Sequence, residues 1–433
     1  MKALIVSLGC NKNLVDSEVM AGYLKNENVL LTNDAEKADV IIVNTCGFIE
    51  DAKVEAIDTI FEMVQFKQKN CKALIVSGCL AQRYADAIFD MPEVDGVIGT
   101  YYYENIVSVI NSVLEGKRVK NITGTPEYLD RAPREVSTKY YAYLKIAEGC
   151  DNKCAYCAIP AIRGKYVSRK IDSLLNEAKA LKAQGIKEII LTAQDTTRFG
   201  SDNGEYQLAH LLEEIAKLGF DWVRVMYAYP SSFSQEIISV MEKYDNICKY
   251  IDIPIQHTED KMLALMNRHY SKADVEDIMQ RLKNSACDWC VRTTLMCGFP
   301  GETDKEHKAM LKFIQKYPFD NLGVFAFSCE EGTEAEKMSP KCRRSTSLNR
   351  CDAVMLMQAQ IVAKNAKRRE GQVYKTLAEG FDSEQKLWFG RGEFLAPEVD
   401  GKIFFSGENV TLGEFYQVKI DEAVGYDFYG RIV

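Results

Sequence analysis

The chain has 433 residues, 47% hydrophobic and 27% charged, the profile of an ordinary globular protein long enough for two or three domains. A net charge of -8 makes it a poor general binder of nucleic acid, although local basic patches remain open to it, and no apolar run reaches the length of a membrane span. Met1 to Cys10 superficially resembles a lipoprotein signal ending at a cysteine, but the apolar part, Ala3 to Leu8, is shorter than a working signal core and reads better as a buried strand. With 14 cysteines and no export signal, the thiols point to metal or catalysis rather than disulfides, and the compartment expected is the cytoplasm.

The first segment alternates strands and helices. Strands are predicted over Lys2 to Leu8, Asp39 to Asn44, Ala73 to Ser77 and Val94 to Ile98. Helices are predicted over Leu14 to Lys25, Ala52 to Phe66 and Glu104 to Leu114. Continuous apolar strands between amphipathic helices predict a parallel, doubly wound sheet over residues 1–122. Cys10, Cys46 and Cys79 each follow one of the first three strands, and each neighbours a glycine: Gly9, Gly47 and Gly78. Carboxyl ends of parallel strands share one edge of the sheet, where ligands bind. Three distant cysteines are thus expected to converge there, with the glycines allowing close approach to a bulky guest. The inference is a [4Fe–4S] cluster with three cysteine ligands and one open iron. The alternative is that each is a small buried hydrophobe.

Thr123 to Thr138 holds two prolines and no periodicity and reads as a linker over residues 123–138. From Tyr140 the alternation restarts. Strands are predicted over Tyr141 to Ile146, Glu188 to Ala193, Trp222 to Tyr227, Lys249 to Ile255, Val291 to Cys297 and Leu322 to Phe327, with helices between them such as Ile171 to Gln184 and Leu208 to Lys217. Six β/α units over residues 139–369 suggest an open, partial TIM-like barrel, left by a helix from about Ser347 to Arg369. The last stretch, residues 370–433, has short β-like runs with glycine turns at Lys386 to Phe389, Lys402 to Phe405, Phe415 to Ile420 and Phe428 to Ile432, expected to form a small antiparallel barrel.

The densest chemical signal is Cys150, Cys154 and Cys157, a C-x3-C-x2-C loop with Tyr156 before the last cysteine. Three thiolates on one short loop suit three irons of a [4Fe–4S] cluster. No fourth cysteine follows at cluster spacing, so one iron would be open to a small ligand. The alternative, a zinc site with a distant fourth ligand, usually shows C-x2-C pairs separated by a longer gap. Cys287 and Cys290 form one isolated C-x2-C pair, read as chance. Cys71, Cys248, Cys297, Cys329, Cys342 and Cys351 read as core or surface thiols.

The loop spacing resembles the radical S-adenosylmethionine (SAM) superfamily. Two three-cysteine sites, a TIM-like barrel and a terminal β-barrel together resemble the radical SAM methylthiotransferases over essentially the whole chain. The resemblance is carried by Ser7 to Glu18, Asn44 to Ile49, Glu148 to Ser168 (above all Cys157 to Gly164), Asp252 to His257 and Gly298 to Thr303. The tail looks like a TRAM domain. Leu191 to Gly200, containing Gln194-Asp195-Thr196-Thr197, looks like the RimO-type branch, which modifies an aspartate of the twelfth protein of the small ribosomal subunit. The other branch, the MiaB type, modifies a tRNA adenosine. Asn11 departs from the pattern, standing where a proline is common.

From Ala378 to Val433 there are eleven acidic residues and five Lys or Arg, so 5 - 11 = -6. An acidic tail suits a basic ribosomal protein better than RNA, unless it is merely a solvated surface. No direct nucleic acid and no membrane partner are expected. The resemblance implies two [4Fe–4S] clusters and two uses of SAM: methylation of sulfur held at the Cys10/Cys46/Cys79 site, and reductive cleavage at the Cys150/Cys154/Cys157 site. The radical so made would take hydrogen from the aspartate β-carbon. An electron donor such as flavodoxin or ferredoxin is implied. Tyr156, Gln194, Gln256 and Gly298 are candidates for holding SAM, and Arg163, Lys165 and Arg169 for holding carboxylates.

Overall fold

The computed structural model describes residues 1–433, the side chain of residue 128 excepted. The amino-terminal part is a sheet of six strands in the order β2-β1-β3-β4-β5-β6, with β1 Lys2–Ser7, β2 Leu30–Leu31, β3 Val40–Thr45, β4 Ala73–Ser77, β5 Gly96–Ile98 and β6 Val119–Asn121. Every pairing is parallel. The Val/Ile runs of β3 and β4 are buried throughout, as a sheet covered by helices on both faces requires. The two additional strands, β2 and β6, are too short and too exposed to carry an apolar pattern.

Helix α1 (Asn11–Asn26) begins directly after Cys10, three residues earlier than its apolar spacing indicates. Its first turns bury Asn11, Lys12, Asn13, Asp16, Ser17 and Glu18. Asn13 and Ser17 bond to the strand ends of their own sheet, while Asn11 and Asp16 face the central domain and Glu18 the segment after the sheet. These contacts are polar, so hydrophobic periodicity could not reveal them. Helices α2 (Glu50–Val64) and α3 (Gly78–Arg83) follow β3 and β4.

The central strands are β7 (Tyr141–Lys145), β10 (Glu188–Thr192), β11 (Trp222–Val225), β12 (Tyr250–Asp252), β13 (Cys290–Cys297) and β14 (Asn321–Ala326), with the short pair β8 (Ala147–Glu148) and β9 (Val167–Ser168) bracketing the cysteine loop. Parallel ladders join β7-β10-β11 and β12-β13-β14. A Val223–Ile247 bridge links the two halves. This is the expected open (β/α)6 barrel. Strand β12 is shorter than the sequence suggests because Pro254 offers no N–H and Gln256 turns to φ +60°.

The helix Arg344–Asn365 leads to a closed five-strand barrel, β15-β16-β17-β19-β18, formed by Val373–Asp382, Leu387–Gly392, Ile403–Ser406, Phe415–Val424 and Asp427–Ile432. It departs from the all-antiparallel expectation at one pairing, β17 with β19, which is parallel. Strand β15 escaped the sequence reading because its Ala-Glu-Gly segment bulges between Ala378 and Gly380. The barrel docks on the central domain: Tyr250 donates to Asp400 at 2.7 Å, and Arg391 pairs with Glu188 at 2.8 Å. No helix among the described residues is long and apolar enough to cross a membrane.

The segment read as a linker is a docked strap. Its Pro133 lies on α1, where a Cβ on Gly22 would come 2.6 Å from the Pro133 carbonyl carbon. Arg134 joins the two domains, reaching Glu18 at 2.6 Å and Glu177 at 2.7 Å with its side chain 6% exposed. Removing one partner of a buried ion pair strands the others. Arg134→Met should therefore lower unfolding stability by about 3–5 kcal/mol, read as a fall in the urea midpoint. An unchanged midpoint would show that the strap carries no interdomain stability.

Candidate functional site

Cys10, Cys46 and Cys79 stand just past the carboxyl ends of β1, β3 and β4. The β1/β3 junction is the point where strand order reverses, the usual ligand crevice of such sheets. The neighbouring glycines let the strand ends approach one another. A Cβ on Gly9 would lie 2.6 Å from the Cys46 Cβ, and one on Gly78 2.5 Å from the Thr45 carbonyl oxygen. Both sit at positive φ, +83° and +91°. The Asn13 amide ties these loops together by donating to the carbonyls of Leu8, Asn44 and Thr45 at 2.8, 3.2 and 3.2 Å. Cys10 occupies the position just before the first turn of α1. Burial pushes the Cys46 thiol up to about 11, with Cys79 and Cys10 as close neighbours. Burial also raises Cys79, opposed by Arg163.

The second set lies on the loop between β8 and the short helix Ile159–Arg163. Gly149, at φ +77°, lets the loop touch the Lys165 carbonyl, 2.0 Å from where a Cβ would be. The loop is clamped from several sides. Asn152 donates to Asp195 at 2.8 Å, Ala155 N–H to Met266 O at 2.9 Å, and Asn267 to Lys153 O at 2.7 Å. Asp195 thus holds the cysteine loop, and it also accepts from Thr197. Burial pushes Cys150 up to about 11 and raises Cys157 beside Cys154 and Cys150. All 14 cysteines are free. Thiolate is the usual ligand of an iron–sulfur cluster, and each set gathers three unpaired thiols beside a guanidinium, Arg163 at Cys79 and Arg268 at Cys154. Each triad therefore fits a cluster ligated by three thiolates.

The two triads meet at the domain interface through Cys79. Cys79 packs with Ala158 and Ile162, just after Cys157. Arg163, 2% exposed, donates to the Cys79 sulfur at 3.2 Å, to Asp16 at 2.8 Å and to Glu148 at 2.9 Å. Lys145 pairs with Glu148 at 2.8 Å and also with Asp16. Burial alone would raise the Glu148 carboxyl, but Arg163 and Lys145 hold it at about 2. Arg163 and Arg169 thus bind carboxylates as expected, but the protein's own, Arg169 holding Glu177 at 2.7 Å. Lys165 is exposed.

Gln194 donates to Glu148 and keeps its buried Oε1 without a partner. Gln256 stands four residues past β12, bridged to Leu295 of β13, in the left-handed region, where a non-glycine residue is held under strain. Tyr156 meets Phe299 edge-on at 6.4 Å. Gly298 has its N–H taken by Glu302, and Ser347 fills the space beside it.

Sequence reasoning missed Arg268, which reaches the Cys154 sulfur and the Tyr156 hydroxyl, both at 3.4 Å, and stacks over Tyr229 at 4.1 Å. No spacing rule announces a lone arginine. Lys12 was also missed; its ammonium lies 3.4 Å from the Tyr227 ring centroid. Asn11 bonds to Thr192 at 3.2 Å and Tyr227 at 3.4 Å, two contacts a proline could not make.

Residues 2–99 match the model described as uncharacterized protein family UPF0004, residues 144–314 the radical SAM superfamily, and residues 371–433 the TRAM domain. The chain is 45% identical to the ribosomal protein uS12 methylthiotransferase RimO of Acetivibrio thermocellus, covering 100% of this chain and 98% of that one. It is 43% identical to the RimO of Clostridioides difficile, covering 100% and 99%. Among solved structures it resembles in fold the radical S-adenosylmethionine methyltransferase TsrM of Kitasatospora setae, with a TM-score of 0.56 at 14% identity over 75% of this chain and 72% of that one. It also resembles the cobalamin-dependent enzyme OxsB, with a TM-score of 0.54 at 13% identity over 82% and 56%. Fold, barrel and thiol loop define a radical SAM enzyme. The chain belongs to the RimO family of methylthiotransferases.

Proposed function

We propose that this enzyme places a methylthio group on the β-carbon of an aspartate in ribosomal protein S12. In this reading Cys10, Cys46 and Cys79 hold one [4Fe–4S] cluster and Cys150, Cys154 and Cys157 another, two SAM molecules are consumed, and the setting is the cytoplasm with a flavodoxin- or ferredoxin-like donor. The observation that carries it is the apposition of the two thiol triads, with Cys79 packed on the helix that follows Cys157. The two clusters when bound supply what side chains cannot, a radical able to take hydrogen from an unactivated carbon and a sulfur to replace it.

The chain supplies position. Arg163 fixes the Cys79 side of the interface, and Asp195 and Asn267 fix the second loop. Gln194, with its free buried Oε1, is a ready acceptor for SAM. Tyr156, Gln256 and Gly298 complete the candidate set at the barrel mouth. Ala155, Met262, Met266 and Phe299 form an apolar wall that keeps water out. The acidic tail supports a basic partner less strongly than its composition suggests, since Asp400 is spent on Arg292 at 2.9 Å.

The test is mass spectrometry of an anaerobic reaction with reconstituted enzyme, reductant, sulfide and SAM, offered S12 and unmodified tRNA together. A methylthio-aspartate in the protein is expected. A methylthio-adenosine instead would assign the chain to tRNA and overturn the substrate.

A further inference from the structure

Eight Lys and Arg residues are buried among the described residues. Seven of them, Lys145, Arg163, Arg169, Arg224, Arg350, Arg369 and Arg391, have a carboxylate partner. The eighth, Lys12, is 8% exposed and has no ion pair or hydrogen bond to its ammonium; its contact is the face of the Tyr227 ring. Burying an unpaired ammonium is costly. Lys12 also sits in the first turn of α1, the end of a helix that repels cations. The anionic groups that face it are Cys10, Glu148 and Asp252; Cys10 is reserved for the first triad, and the two carboxylates are committed elsewhere. Glu148 is held by Lys145 and Arg163, and Asp252 accepts from the Tyr227 N–H at 3.1 Å and faces Arg292 at 3.7 Å.

The place matters as much as the missing partner. Lys12 is two residues from Cys10, and its neighbour Asn11 is bonded to Thr192 at the end of β10. Tyr227, beyond β11, is held at φ +61°, a strained conformation for a bulky residue. The ammonium therefore stands between the first triad and the barrel mouth.

We propose that Lys12 binds the side-chain carboxylate of the substrate aspartate and so sets the β-carbon between the two thiol triads. In aspartate the β-carbon is bonded directly to the carboxyl carbon, so gripping the carboxylate fixes the reacting atom. This rests on the protein-substrate reading above.

The experiment uses reconstituted holoenzyme and S12 carrying either the target aspartate or asparagine in its place. Wild type should bind the aspartate form more tightly by roughly 10- to 100-fold, the range for a charge-assisted hydrogen bond. Lys12→Met should lose that preference while keeping iron content, SAM affinity and 5′-deoxyadenosine release, and Lys12→Arg should regain part of it. The proposal is overturned if Lys12→Met retains the preference. It is also overturned if SAM affinity falls instead, which would assign the ammonium to the SAM carboxylate, or if both variants lose iron, which would assign it to the cluster. Failure of wild type to modify S12 would instead remove the substrate reading itself.

Discussion

Changing Cys150, Cys154 and Cys157 together to alanine should give an enzyme that releases no 5′-deoxyadenosine from SAM yet keeps about half the iron of the reconstituted parent. The loop does not need its thiols to hold its shape. Asn152 to Asp195, Ala155 to Met266 and Asn267 to Lys153 are hydrogen bonds that survive the change. Gly149 still folds onto the Lys165 carbonyl. The other triad, on the strand ends of the amino-terminal sheet, keeps its Asn13 ties and Arg163. A large effect on SAM cleavage with a half effect on iron is therefore the signature of a local ligand set. Iron near the parental level would mean that these thiols do not hold a cluster. Continued 5′-deoxyadenosine release would place SAM cleavage elsewhere.

The sheet and the barrel were legible because burial on both faces demands unbroken Val/Ile runs, and those runs are visible one strand at a time. The Cys150 loop was legible because its geometry is local. The Cys10, Cys46 and Cys79 set was legible only because each thiol closes a readable strand. What escaped is polar and interfacial. The polar start of α1, Asn11 to Glu18, is buried partly by its own strand ends and partly by the neighbouring domain, and a sequence pattern carries no mark of either surface. For the same reason the sequence suggested that Arg163 holds carboxylates but not which ones, since Asp16 and Glu148 come from two different domains. The strap around Arg134 looked like a linker because its prolines and charges hide ion pairs to residues more than forty and more than a hundred positions away. The glycines at the strand ends have a steric use, chain against chain, that the sequence did not announce.

The complementary variant, with Cys10, Cys46 and Cys79 changed to alanine, should still cleave SAM reductively but transfer no methylthio group, and should again retain about half the iron. The strand ends remain tied by Asn13 and Asn44 without the sulfurs. Arg163 loses one acceptor and keeps Asp16 and Glu148, so the interface with the second triad should stand. Product analysis then separates the two halves of the chemistry: 5′-deoxyadenosine with no modified substrate is the expected pair. Full iron content in this variant would remove the sheet-edge cluster. Loss of SAM cleavage as well would show that the triads act as one unit through Arg163, the side chain that touches the sulfur of one and belongs to the helix following the other.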